Sequence, residues 1–175
     1  MRNATDLLVS YATCHRDRRN IATHMVGIPM ILFSLGLLLA RPAMPVQGLL
    51  LSPAWVLFAA AALWWLTRGS LAVGLAVSAG TAALVLLAQA VGTTGAGLGW
   101  GFTLFALGWL IQFLGHYYEG RKPAFVDDLR SLLIGPMFVA AEALFAAGWK
   151  LDLLREIERR AGPKVERDLA LEGTR

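Results

Sequence analysis

The sequence predicts an all-α protein: a polytopic membrane helix bundle with about four transmembrane helices, a broken re-entrant fifth segment and short amphipathic helices at its ends. Three observations predict it. Of 175 residues, 57% are hydrophobic and only 16% are charged, where a soluble domain carries about 25% charge. The apolar residues come in long blocks rather than short alternations. The basic residues, which leave a net charge of +4, lie between and after those blocks. That placement suits topology and lipid head groups, so no nucleic-acid partner is expected.

Taken in order, Asn3 to His15 predicts a short helix on which Leu7, Tyr11 and His15 share one face. The run RDRRN interrupts it, and Asn20 reads as the N-cap of the first span, IATHMVGIPMILFSLGLLLA, which Gly27 and Pro29 should kink. RPAMPVQG reads as a loop. Ser52 and Pro53 then open AWVLFAAAALWWLT, with Trp64 and Trp65 as interfacial anchors. Ser70 caps LAVGLAVSAGTAALVLLAQAVG, and the turn TTGAGLG leads to WGFTLFALGWLIQFLGHYY. Gly74, Ser78, Thr81, Gly101 and Gly108 suit close helix packing in lipid.

The fifth block, Ser131 to Trp149, is expected to dip in and return at a break at Gly135-Pro136. A full fifth span, the alternative, would carry the basic tail outside, against the positive-inside rule. Leu151, Leu154 and Ile157 then make one face of a surface helix that Gly162-Pro163 stops. Residues 1–162 thus read as one membrane-embedded domain and 163–175 as a polar tail. Arg16, Arg18, Arg19, Arg121, Lys122 and Arg130 place both termini on the cytoplasmic face, with a bacterial inner membrane as the expected location.

Several functions are excluded. Cys14 is the only cysteine, so there is neither an intrachain disulfide nor a cysteine zinc site. There is no Gly-rich phosphate loop and no G-x-S-x-G elbow. The first twenty residues lack the apolar core and small-residue cleavage site of a signal peptide.

The chemistry gathers on three histidines. His15 and His24 are nine residues apart, which on one unbroken helix sets them on opposite faces. A turn at RDRRN lets them converge, and an even number of crossings returns His116 to the same side. Three imidazoles suit zinc or ferrous iron. The competing reading is that they are interfacial histidines bonding head groups or backbone. His15, His24, His116 and Glu119 are the candidate catalytic residues, the three histidines being the candidate metal ligands. Tyr11, Asn20, Gln112, Arg121 and Glu142 are candidates to support the ligands or hold a substrate head group. Glu142, charged within an apolar block, calls for a partner, for which Arg121 and Lys122 are candidates.

The pattern Y-x3-H-x4-N-x3-H-x2-G-x-P at Tyr11, His15, Asn20, His24, Gly27 and Pro29 resembles the N-terminal signature of the DUF962, or Mpo1-like, family. QFLGHYYEGRKPA, from Gln112 to Ala124, is similar to its second signature, and PMFVAAE, from Pro136 to Glu142, to its third. The likeness spans about residues 5 to 150. It implies an Fe(II)-dependent dioxygenase of lipid α-oxidation that shortens 2-hydroxy fatty acids by one carbon with molecular oxygen. His15, His24 and His116 would then hold the iron, and the acyl chain would lie among the helices in membrane lipid. The alternatives are a zinc-dependent membrane hydrolase with Glu119 as base, and a non-enzymatic membrane scaffold or carrier.

Overall fold

The computed structural model describes residues 3–46, 49–92 and 97–169. Seven helices follow in order: α1 (Ala4–Ala12), α2 (Arg18–Leu38), α3 (Pro53–Leu66), α4 (Leu71–Gly92), α5 (Gly97–Glu119), α6 (Ser131–Ala146) and α7 (Leu151–Ala161). The segment expected to be a loop after α2 contains a short strand, β1 (Met44–Val46), which pairs antiparallel with β2 (Leu49–Leu51), Met44 facing Leu51. Most of the expected turn TTGAGLG, residues 93–96, lies outside the described residues.

Among the described residues, α2, α4 and α5 are long and apolar enough to cross a membrane, and the bent pair α6 and α7 makes up to a fourth span. The helix expected as the second span, α3, has 14 residues. That is about 21 Å of helix, against a hydrocarbon core of about 30 Å. These apolar helices suggest a membrane protein. The central pair is α2 and α5, which run antiparallel with very little side chain between them. A Cβ on Gly108 would stand 2.6 Å from Ile31 Cγ1 and 3.2 Å from the Gly27 carbonyl, so glycine is what allows the approach.

Three expectations are corrected. The N-cap of α2 is Asp17, which accepts from the Arg19 amide at 2.8 Å, while Asn20 lies inside the helix. Gly135 and Pro136 do not break the fifth block. Pro136 falls in the second turn of a continuous α6, and a Cβ on Gly135 would stand 3.1 Å from the Tyr11 hydroxyl, so the dipeptide serves close packing. The bend, 119°, comes between α6 and α7, where Gly148 and Lys150 take positive φ. Trp65 is buried and donates from its indole to the Leu133 carbonyl at 2.9 Å, so it is a core residue, not an interfacial anchor.

The amphipathic terminal helices pack on the charged end of the bundle. α1 lies against α6 and α7 through Leu7, Leu8 and Ala12. The buried face of α7 is Leu153 and Ile157 rather than the expected Leu151, which is exposed. The described part of the polar tail, residues 163–169, is docked. Val165 pairs as an extended strand with the turn before α2, accepting from the Arg18 amide at 2.9 Å and donating to the Arg16 carbonyl at 2.9 Å.

Candidate metal centre

α1 ends at Ala12, and the chain turns through Thr13 to Asp17 before α2 begins. His15 sits in that turn, His24 near the start of α2 and His116 in the last turn of α5. The bundle therefore brings all three to one buried point. Among the described residues they are the one group able to hold a metal ion, each offering a ligand atom within 4.8 Å of the others.

The tautomers follow from the backbone. His15 Nδ1 lies 2.7 Å from the Tyr11 carbonyl, and His24 Nδ1 lies 2.9 Å from the Asn20 carbonyl. A carbonyl oxygen only accepts, so both Nδ1 atoms carry the proton. Each neutral ring then presents a bare Nε2 lone pair, and these two Nε2 atoms face one another 3.1 Å apart. Two lone pairs at that distance repel, and a cation between them relieves the repulsion. Metal–imidazole bonds of about 2.1 Å accommodate such a separation around one ion. A backbone carbonyl behind each ring is also the arrangement that orients metal-binding histidines. The donor set therefore fits a divalent metal. Burial, with His24 alongside, holds the His15 pKa well below that of an ordinary histidine, so its ring is neutral.

His116 completes the group from the facing helix, its ring centroid 5.0 Å from His15 and 5.1 Å from His24. Its Nδ1 is buried without a hydrogen-bond partner. Tyr11 stacks on His15 at 3.9 Å, and Phe138 of α6 closes that side at 5.7 Å. Burial raises the Tyr11 phenol well above its usual pKa.

Glu119 takes part differently from a free base. Its carboxylate accepts from the Arg16 amide at 2.9 and 3.1 Å, the Asp17 amide at 2.9 Å and Asn20 Nδ2 at 2.9 Å. These bonds tie the end of α5 to the turn that carries His15. Gln112 is buried one turn from His116, and its Nε2 has no protein partner. Arg121 lies at the rim and donates to the Thr13 carbonyl at 3.2 Å. Glu142 is paired, but with Lys164 of the tail rather than with Arg121 or Lys122, and Lys122 instead bonds Asp127 at 2.6 Å.

Three contributors were missed in the sequence. Arg16 is buried, bonding the Ala12 carbonyl at 2.9 Å and the Gly162 carbonyl at 2.8 Å, and nothing in its surroundings in the sequence signals burial. Asp17 is held by Arg19, whose hydrogen bond lowers its carboxyl pKa to about 2, and it accepts from the Arg167 amide at 2.9 Å. An acidic residue just before a helix is a legible capping signal. Phe138 lies in an apolar block that marks no one residue.

An apolar cavity of about 260 Å³ runs from His24, His116 and Gln112 along α2 and α5. On the other side of His116 a more polar hollow is lined by Arg121 and Arg167.

A family model described as 2-hydroxy-palmitic acid dioxygenase Mpo1-like matches residues 1–147. The 2-hydroxy-palmitic acid dioxygenase MPO1 of Saccharomyces cerevisiae is 34% identical over 151 residues, covering 85% of this chain and 83% of that protein. No solved structure matches the chain. A match over most of the sequence, by both comparisons, places this chain in the Mpo1-like family.

Proposed function

We propose that this protein is an Fe(II)-dependent dioxygenase that converts 2-hydroxy fatty acids to fatty acids one carbon shorter. The observation that carries the reading is the pair of bare Nε2 atoms of His15 and His24, 3.1 Å apart beside His116, at the head of an apolar cavity. The similarity to a 2-hydroxy-palmitic acid dioxygenase supports the substrate class.

His15, His24 and His116 would hold the ion. Bound Fe(II) would supply one-electron redox chemistry and open positions for oxygen donors. The residues of the chain do the rest. The Tyr11 and Asn20 carbonyls keep the two Nδ1 protons in place. The stacked Tyr11 ring and Phe138 exclude water from the His15 side. Glu119 holds the turn, Gln112 offers an N–H to the head group, and Arg121 at the rim offers charge to an incoming carboxylate. The reaction balances as one 2-hydroxy acid and one O2 giving the shortened acid, carbon dioxide and water, with no further reductant. The site faces the cytoplasm in this reading.

The test is anaerobic loading with Fe(II), addition of 2-hydroxypalmitate and O2, and mass spectrometry. The expected product is the odd-chain acid, with one O2 consumed per acid. Iron-loaded protein that never forms it, while zinc-loaded protein hydrolyses esters or amides, would establish the hydrolase alternative instead.

A further inference from the structure

Gln112 is 5% exposed, and its Nε2 is buried with no hydrogen-bond partner. An amide donor left so is costly. Gln112 lines the apolar cavity a turn of helix from His116, with its Nε2 set against Gly27 of α2. What it lacks is an acceptor oxygen. Beyond Tyr11 and Ser131 the cavity is lined mainly by apolar side chains, among them Ile31 and Leu35 from α2, Phe105 and Trp109 from α5, and Leu132 from α6. Leu35 and Phe105 each stand eleven residues from the histidine on their own helix, or about 16 Å along the axis. One end therefore offers a hydrogen-bond donor and the metal centre. The other end offers only apolar walls, at the distance of a medium-length extended chain.

A second apolar cavity, of about 360 Å³, lies on the α3 and α4 side. Leu32, Leu35, Leu132 and Pro136 line both cavities and so form the partition between them.

We infer that the first cavity seats a single acyl chain, that Gln112 donates to an oxygen of its head, and that Leu32 and Leu35 set the longest chain admitted. The inference rests on the proposed function only for the identity of the head as a 2-hydroxy acid. Removing the partition side chains would join the two cavities and admit longer chains. Enlarging Leu35 would shorten the first.

The experiment measures binding to the metal-free, full-length protein in lipid nanodiscs. A fluorescent fatty acid is displaced by a series of 2-hydroxy acids from octanoic to docosanoic. For the wild type, affinity rises with chain length and then breaks. The double substitution Leu32→Ala with Leu35→Ala should move the break to longer chains, and Leu35→Trp to shorter ones. Gln112→Leu should weaken every chain roughly tenfold, the size of one lost hydrogen bond. A break that neither Leu variant moves, or affinity unchanged in Gln112→Leu, overturns the inference. Turnover of the same series on the Fe(II)-loaded protein separates it from the proposed function. Chain-length shifts in binding with no shortened product keep the cavity assignment and remove the oxidation. Shortened product with an unmoved chain-length profile does the reverse. The two Leu variants act in opposite directions, so a folding defect in one leaves the other decisive.

Discussion

Asn20 donates its side-chain N–H to Glu119 at 2.9 Å, and through that contact the helix carrying His24 is joined to the end of the helix carrying His116. The same carboxylate holds the amides of Arg16 and Asp17. Glu119→Gln sets an amide NH2 among three donors and removes the charge that they share. The expected cost is about 2 kcal/mol of stability, with weaker metal retention and a proportional loss of turnover. Thermal unfolding and metal content measured together check this. A variant of full stability and full metal content with no turnover would instead mark Glu119 as a base.

His15→Ala, His24→Ala and His116→Ala should each abolish Fe(II) binding and turnover while leaving the helices folded. Each would remove one of the three proposed donors for a weak binder in the divalent series. The readout is the metal-dependent rise in unfolding temperature, present in wild type and lost in each variant. Without metal, His15→Ala and His24→Ala should not lose stability to match, because each relieves the Nε2 repulsion. A variant with full iron occupancy is not missing a ligand.

Lys164→Met should cost about 3 kcal/mol, because it leaves the buried Glu142 carboxylate without its ion pair. Adding Glu142→Gln should recover most of the loss. A double-mutant cycle on unfolding free energies checks the coupling. Lys122→Met, which touches Asp127 instead, should show no coupling to Glu142.

Asp17→Asn removes the charge that bonds Arg19, caps α2 and accepts the Arg167 amide. The depressed carboxyl pKa corresponds to a loss of roughly 2 kcal/mol. The tail should then be cut faster by a protease specific for basic residues, at Lys164 and Arg167. Equal cleavage rates in wild type and variant would mean that Asp17 does not hold the tail.

Gly108→Val should destabilise the bundle and lower metal affinity, since the new side chain meets Ile31 and the Gly27 backbone. Gly99→Val, in the same helix but with open space at its Cβ, is the control and should unfold close to wild type. For orientation, cysteine labelling at Asn3 and Gly173 in sealed vesicles should find both on the cytoplasmic side. Label on opposite sides would mean an odd number of crossings.

The sequence by itself determined the helical class, the long apolar blocks and the three histidines as the centre of interest. Those depend on composition and local spacing, which the chain displays directly. That Tyr11 and His15 face the same way was legible from their four-residue spacing, although the helix ends at Ala12 and His15 lies in the turn beyond it. Tertiary structure decided what depends on residues far apart in the chain. The convergence of His116 on His15 and His24 was expected only if the crossings were even, and side-chain packing supplies the 3.1 Å approach of the two Nε2 atoms. The partner of Glu142 is Lys164, reached because the tail folds back along the turn before α2, and no local pattern encodes that return. Gly135-Pro136 reads as a break from propensity alone, yet it lies inside a continuous α6, where Gly135 packs closely against Tyr11 and Ile28. Local propensity fixes how a segment begins and ends in isolation. The close packing of helices decides which of those signals is overruled.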